Sequence, residues 1–119
     1  MIKDPKLHIV HILESIEEIA EYAPSERTLY ENRMAYRATL RVLHTLAESA
    51  SKLPQEMTRQ FPHIPWQKIS RFRNVIVHDY LDDYNRELIW RVIANELEPL
   101  KNAMLILLPE WESIRKKKR

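Results

Sequence analysis

No glycine occurs anywhere in the 119 residues, where average usage of about 7% would supply roughly eight. Glycine is the residue that takes positive φ at no steric cost. A chain without it cannot build a phosphate-cradling loop, a dinucleotide-binding turn or glycine-closed hairpins. Nucleotide chemistry on a glycine-rich loop is thereby excluded, and tight β-architectures become unattractive. Cysteine is absent as well, which removes disulfides, thiolate metal sites and a cysteine nucleophile. With 45% hydrophobic residues, the length suits one domain with a real core and is too short for two.

Apolar residues recur at three- and four-residue steps, and seven prolines punctuate them. Asp4-Pro5 is a helix start, because aspartate accepts orphan N–H bonds and proline suits the first turn. Ile9, Ile12, Leu13, Ile16, Ile19 and Ala20 then form the buried stripe of a helix ending near Tyr22. After Ala23-Pro24, Ser25 caps a second helical stretch to about Leu53, with an interruption near Asn32. Its long part buries Leu40, Leu43, Leu46, Ala47 and Ala50, and Arg33, Arg37 and Arg41 form a basic stripe. Such a stripe reads first as a solvated face whose stems lie on apolar neighbours. Pro54 to Pro65 is a connector with room for a turn or two of helix. Trp66 opens a helix of about a dozen residues reaching toward His78. A last long pattern starts around Asp82-Asp83, bends at Pro99 and stops near Pro109. No segment keeps a period of two. The expected fold is all-α, an antiparallel bundle of about four to five helices, with residues 1–109 as the domain and 110–119 as a basic tail.

The net charge of +2 is uneven: Arg115 to Arg119 supply five of the 19 cations, leaving 14 basic against 17 acidic residues, a net of −3. The body is therefore not a polycation that coats any nucleic acid, and contact with a polyanion falls to local clusters or to the tail. The longest apolar run, Ala103 to Leu108, is far short of the ~18 residues that span a membrane. Met1-Ile2-Lys3-Asp4-Pro5 lacks the apolar core of a signal peptide. These features predict a soluble, cytoplasmic protein without membrane contact.

The residues best suited to chemistry lie between Pro65 and Tyr80. Ile69, Phe72, Val75 and Ile76 make a core-facing stripe. At about 100° per residue, Arg71, Asn74 and His78 share one face, and Arg73 lies about 140° from His78. Histidine can transfer a proton in either direction near neutral pH. Arginine offers a planar fork matched to phosphate oxygens. A histidine beside arginines with no metal cage suits RNA cleavage by its own 2′-hydroxyl. One group handles the proton, and a cation stabilises the extra charge at phosphorus. Spacing alone does not decide this, because a single histidine near two arginines on a helix is more often structural.

Arg73-Asn74-Val75-Ile76-Val77-His78-Asp79-Tyr80 resembles the R-x4-6-H motif with a following x-Y that marks the HepT-like branch of HEPN domains. Ile64-Pro65-Trp66-Gln67-Lys68-Ile69 is similar to the family's P-W-x-x-I approach. Leu43-His44-Thr45-Leu46-Ala47-Glu48-Ser49-Ala50 is similar to its I-G-E-A helix segment, and Leu13-x-x-Ile16 to its first helix. Ala47 stands in place of the usual glycine, and Ser70 where a small apolar residue or glycine is common. The resemblance implies a small all-helical toxin of a prokaryotic toxin–antitoxin pair, a metal-independent endoribonuclease without cofactor. It implies a homodimer whose two motifs line one cleft. It also implies a nucleotidyltransferase antitoxin partner able to adenylylate the motif tyrosine, here Tyr80. In these terms Arg73 and His78 are the catalytic pair, and Arg71, Asn74 and Tyr80 position the RNA substrate. Arg71, with six residues between it and His78, also satisfies the motif spacing. Asn74 follows Arg73 and selects it as the motif arginine.

Other candidates carry less. His8 and His11 could form half a metal site but have no third ligand placed by sequence, so they read as surface histidines. Asp82 and Asp83 suit an N-cap better than a metal. His44 sits among leucines as a partly buried helix residue. Trp66, Trp90 and Trp111 are not interleaved with cations and read as packing anchors rather than stacking platforms. The basic tail suits RNA, an acidic antitoxin face, or the C-terminal end of a helix dipole. The rival to the enzyme is a non-catalytic helical dimer module that binds a nucleotidyltransferase or nucleotide. A small nucleotidyltransferase gene next door would favour the toxin pair.

Overall fold

A computed structural model describes residues 4–73 and 86–118, and among these the only regular structure is helical. Helix α1 spans Pro5–Tyr22, with Pro5 in the first turn and the Asp4 carboxylate accepting from the Lys6 amide at 3.0 Å. It buries Ile9, Ile12, Leu13, Ile16 and Ile19. Ser25 caps α2 (Glu26–Glu31), its hydroxyl accepting from the Thr28 amide at 3.1 Å. Asn32 ends that helix and caps the next, α3 (Arg33–Ser51), its Oδ1 accepting from the Ala35 amide at 2.9 Å. The interruption expected at Asn32 is thus a shared cap, a role for which asparagine is among the best residues.

Helices α1 and α3 form the most extensive contact. His11, early in α1, meets Ser49, late in α3, with Nδ1 2.7 Å from Oγ, so the two run antiparallel. Ala47, at the family's glycine position, is fully buried.

The connector holds one turn, α4 (Gln55–Thr58), and α5 follows at Trp66–Ser70. Beyond the undescribed stretch come α6 (Arg86–Asn95), α7 (Leu97–Leu107) and α8 (Trp111–Lys118). Helix α7 packs on both α1 and α6, and α2 also meets α6. Ile89, Leu100 and Met104 are fully buried there.

Two boundaries differ from the periodic pattern. The bend lies at Glu96 rather than at Pro99. Proline has no N–H and its ring clashes with the carbonyl four residues earlier, here that of Asn95, the last residue of α6. Pro99 causes the break and then sits comfortably in the first turn of α7. The second difference is at the end of the chain. Within the segment read as a basic tail, Trp111–Lys118 is helical, and Trp111, the first residue of that helix, is 3% exposed within the common core. Arg115 reaches back to Glu17 on α1 at 3.0 Å. Lys116 and Lys117 remain exposed.

Candidate functional site

Pro54 and Pro65 confine the connector, and Trp66 fixes it. The indole N–H donates to the Thr58 and Phe61 carbonyls, at 3.2 and 3.1 Å, tying α5 to the turn after α4. Ile69 and Phe72 point into the core, which leaves Arg71 and Arg73 exposed on either side of Phe72. The helix opened by Trp66 is described as far as Arg73. Helix α5 ends at Ser70, Arg71 keeps right-handed helical backbone at φ −63° and ψ −20°, its amide donating to the Gln67 carbonyl at 3.1 Å, and Phe72 and Arg73 are helical again. The rest of the expected course toward His78 lies outside the described residues.

Arg73 is held at two points. Its Nε donates to the Ser70 carbonyl at 3.3 Å, and its Nη1 lies 3.5 Å from the Ser51 hydroxyl. Ser51 in turn donates to the Glu48 carbonyl at 2.7 Å, so its hydroxyl presents a lone pair outward. The last turn of α3 is the negative end of that helix's dipole, a favourable neighbourhood for a guanidinium. Arg71 caps α5 and lines an open groove of about 420 Å³ that also includes Ser51, Thr58, Trp66, Gln67 and Ser70. Ser51 thus belongs to both settings, touching Arg73 and lining the groove beside Arg71. Hydroxyls, an amide and a cation around an open groove can receive a phosphodiester, with the arginine forks matching its oxygens. Asn74, His78 and Tyr80, together with Asp82 and Asp83, lie outside the described residues.

Sequence reasoning gave Ser51, Thr58, Gln67 and Ser70 no role in the site. Ser51 is 22 residues from Arg73, and no local spacing joins them. The clue available was compositional: small hydroxyl residues cluster at the end of α3, where a helix terminus leaves carbonyls to bind.

The remaining candidates are structural in their surroundings. His8 and His11 are half-buried rather than on the open surface, and His11 is engaged with Ser49. His44 is half-buried, as expected among leucines. Among the described residues no group of three His, Asp or Glu side chains is placed to hold a metal. Trp111 is buried, and Trp66 and Trp90 pack against the core. On α2, the Tyr30 phenol is pushed above its ordinary value, first by desolvation and then by its hydrogen bond with Glu26. No described helix is long and apolar enough to cross a membrane.

Among the described residues the all-helical domain sets Arg71 in an open groove and Arg73 beside Ser51 at its edge. Residues 12–105 match the family described as ribonuclease HepT-like, and the chain belongs to that family. Family membership places it with ribonucleases of the HEPN type. A Methanocaldococcus jannaschii protein named "Gamma-glutamylcyclotransferase and putative RNase MJ0434" is 30% identical over 94% of this chain, which spans only 51% of that relative. "Putative RNase MJ1380" of the same organism is 25% identical, covering 88% of this chain and 97% of the relative. "Probable ribonuclease HepT" of Thermococcus cleftensis is 26% identical over 83% of this chain and 88% of its own length. No solved structure matches.

Proposed function

We propose that the chain is the toxin of a prokaryotic toxin–antitoxin pair, a metal-independent endoribonuclease acting as a homodimer in the cytoplasm. His78 moves the proton: as base it takes it from the attacking 2′-hydroxyl, as acid it gives one to the departing 5′-oxygen. The P–O bond to the 2′-oxygen forms as the bond to the 5′-oxygen breaks, leaving a cyclic phosphate and a free 5′-hydroxyl. Two motifs facing one cleft supply both roles. Arg73 stabilises the charge that accumulates on the phosphoryl oxygens. Arg71, Asn74 and Tyr80 position the RNA.

The observation that supports this reading most directly is the tethering of Arg73. Ser70 and Ser51 hold its fork at the edge of the groove lined by Arg71, five positions before the motif histidine. A nucleotidyltransferase antitoxin silences the enzyme by attaching AMP to Tyr80, adding bulk and a negative phosphodiester beside the motif arginines.

The test uses one preparation of the full chain, sedimenting as a dimer at micromolar concentration. RNA is expected to be cut with EDTA present, and His78→Ala is expected to lose about 10²–10⁴-fold in rate, the usual worth of a positioned acid–base group. Cleavage abolished by EDTA, or undiminished in His78→Ala, would defeat the mechanism. For the switch, Tyr80→Phe is expected to stay toxic yet gain no AMP-sized mass when incubated with the cognate antitoxin and ATP. A mass gain on that variant would place the acceptor elsewhere.

A further inference from the structure

The groove beside Arg71 offers more than a phosphate alone can use. Part of its lining is apolar: Ala50 and Leu53 are buried and Trp66 is half-buried. Trp66 has spent its N–H on the Thr58 and Phe61 carbonyls, so it brings only aromatic surface to the groove. A phosphodiester gains nothing from such surface, whereas the face of an unstacked nucleobase does. Among the described residues that line the groove none is acidic, so an attached phosphate meets no like charge there. The volume, about 420 Å³, falls within the ~300–1,000 Å³ of clefts that take one small molecule.

The polar side chains around the groove call for a partner that both donates and accepts. Ser51 donates to the Glu48 carbonyl at 2.7 Å, and Thr58 to the Gln55 carbonyl at 3.2 Å. With those protons spent, each hydroxyl oxygen is left as an acceptor. Gln55 turns its amide oxygen to Arg59, 3.4 Å away, and keeps its N–H groups as donors. Gln67 is exposed, and its amide has no partner among the described residues. A glutamine amide sets one donor beside one acceptor, the pattern that pairs bidentately with N7 and the N6 amino group of adenine. The second N–H of that amino group is then free for a hydroxyl oxygen. The Arg71 amide donates to the Gln67 carbonyl at 3.1 Å, so the two side chains share a face, one turn and about 5–6 Å apart at Cβ. That separation lets Arg71 hold a phosphate while Gln67 meets the base of the same nucleotide.

We propose that this groove is a base-recognition subsite for one adenine of single-stranded RNA, with Gln67 as the residue that determines specificity. The proposal rests on the ribonuclease reading for one point, that the phosphate joined to this adenosine is the one cut. Adenine is favoured by the pattern of donors and acceptors. Guanine carries O6 where adenine carries the amino group, so beside N7 it shows two acceptors, of which an amide matches one. Uracil has no amino group to give to the hydroxyl oxygens. Cytosine has one but covers the apolar lining with a single ring.

The experiment measures binding of labelled oligouridylates to the full-length His78→Ala protein, with one internal uridine replaced by A, G or C, or by none. The strand carrying A is expected to bind about 5–150-fold more tightly than the all-uridine strand, the worth of one good bidentate pair. Gln67→Leu, and the isosteric Gln67→Glu that turns an acceptor toward N7, are each expected to bring that ratio down to about one. Gln67 is exposed, so the melting temperature should hold. Purine riboside, which lacks only the amino group, is expected to lose most of the preference in the parent protein and little more in Gln67→Leu, the signature of two coupled partners. Gln60→Leu, exposed and off the groove, is expected to leave the ratio unaltered. Equal affinity for the A and all-uridine strands, a preference for G or C, or a ratio that survives Gln67→Leu overturns the proposal. Cleavage by the wild-type protein is read separately on the same strands. Its absence from every strand would defeat the ribonuclease reading and leave the binding ratio to decide the subsite.

Discussion

Arg73→Lys is expected to cut the rate of RNA cleavage by about 10²–10³-fold, the usual cost of removing one preorganised donor from a developing oxyanion, while RNA binding changes by no more than a few-fold. Charge is conserved, so long-range attraction to the strand survives. The planar fork is what goes. Arg73 meets the Ser70 carbonyl through Nε and the Ser51 hydroxyl through Nη1, which fixes the plane of the group and leaves the guanidinium's Nη edge to face substrate. A lysine ammonium is a point charge on a flexible stem and cannot hold two anchors and a bidentate contact together. An interaction made mainly in the transition state lowers kcat and kcat/KM in parallel, with KM little changed. Because Arg73 is exposed, the fold is not at stake, and thermal melting should report this. If Arg73→Lys cleaves like the wild type and Arg71→Lys fails, the catalytic arginine is Arg71, whose side chain already lines the groove.

Features set by a few neighbouring residues are legible in the sequence. Asp4-Pro5, Ser25 and Asn32 each announce a helix start, because capping uses the residue's own side chain and an amide two or three positions on. Apolar spacing in the first and third helices identifies the buried faces, since one helix must present one stripe to its neighbour. Pro99 is legible as a breaker, but its effect falls four residues upstream, on the carbonyl it clashes with, so the bend precedes the residue that announces it. Ile69 and Phe72 keep the helical spacing across Arg71, whose backbone is itself helical, and both are buried as that spacing predicts. The tethering of Arg73 by Ser51 depends on how α5 meets α3, a tertiary contact that no spacing rule encodes. Helix α8 is hidden in the sequence because cations dominate it. Composition registers the charge of Arg115 to Arg119 and overlooks Trp111, which with Ile114 packs the segment onto the core.

That anchor carries the second large effect. Trp111→Ala is expected to cost about 3–5 kcal/mol of folding stability, the usual range for deleting a buried aromatic side chain. Single domains are stable by only about 5–15 kcal/mol, so the change would take about a fifth of the total or more. Trp111 is 3% exposed and belongs to the same apolar cluster as Ile12, Leu100 and Met104, and its amide donates to the Leu108 carbonyl at 3.2 Å. Helix α8 is also linked to the body by Ile114, partly buried against the core, and by the Arg115–Glu17 pair. Both side chains of that pair keep about a third of their surface in water, so screening leaves the pair worth about 0–1 kcal/mol. Arg115→Ala should therefore shift a urea transition slightly, and Trp111→Ala should move its midpoint far to lower urea with the slope nearly unchanged. The comparison discriminates between two descriptions of the C-terminal segment. If Trp111→Ala costs less than about 1 kcal/mol, well under the range for a core aromatic, residues 110–119 are an appended basic tail whose helix rests on the surface. A loss in the expected range makes α8 part of the folded unit, with Lys116 and Lys117 carried at a fixed place on its surface rather than on a free strand.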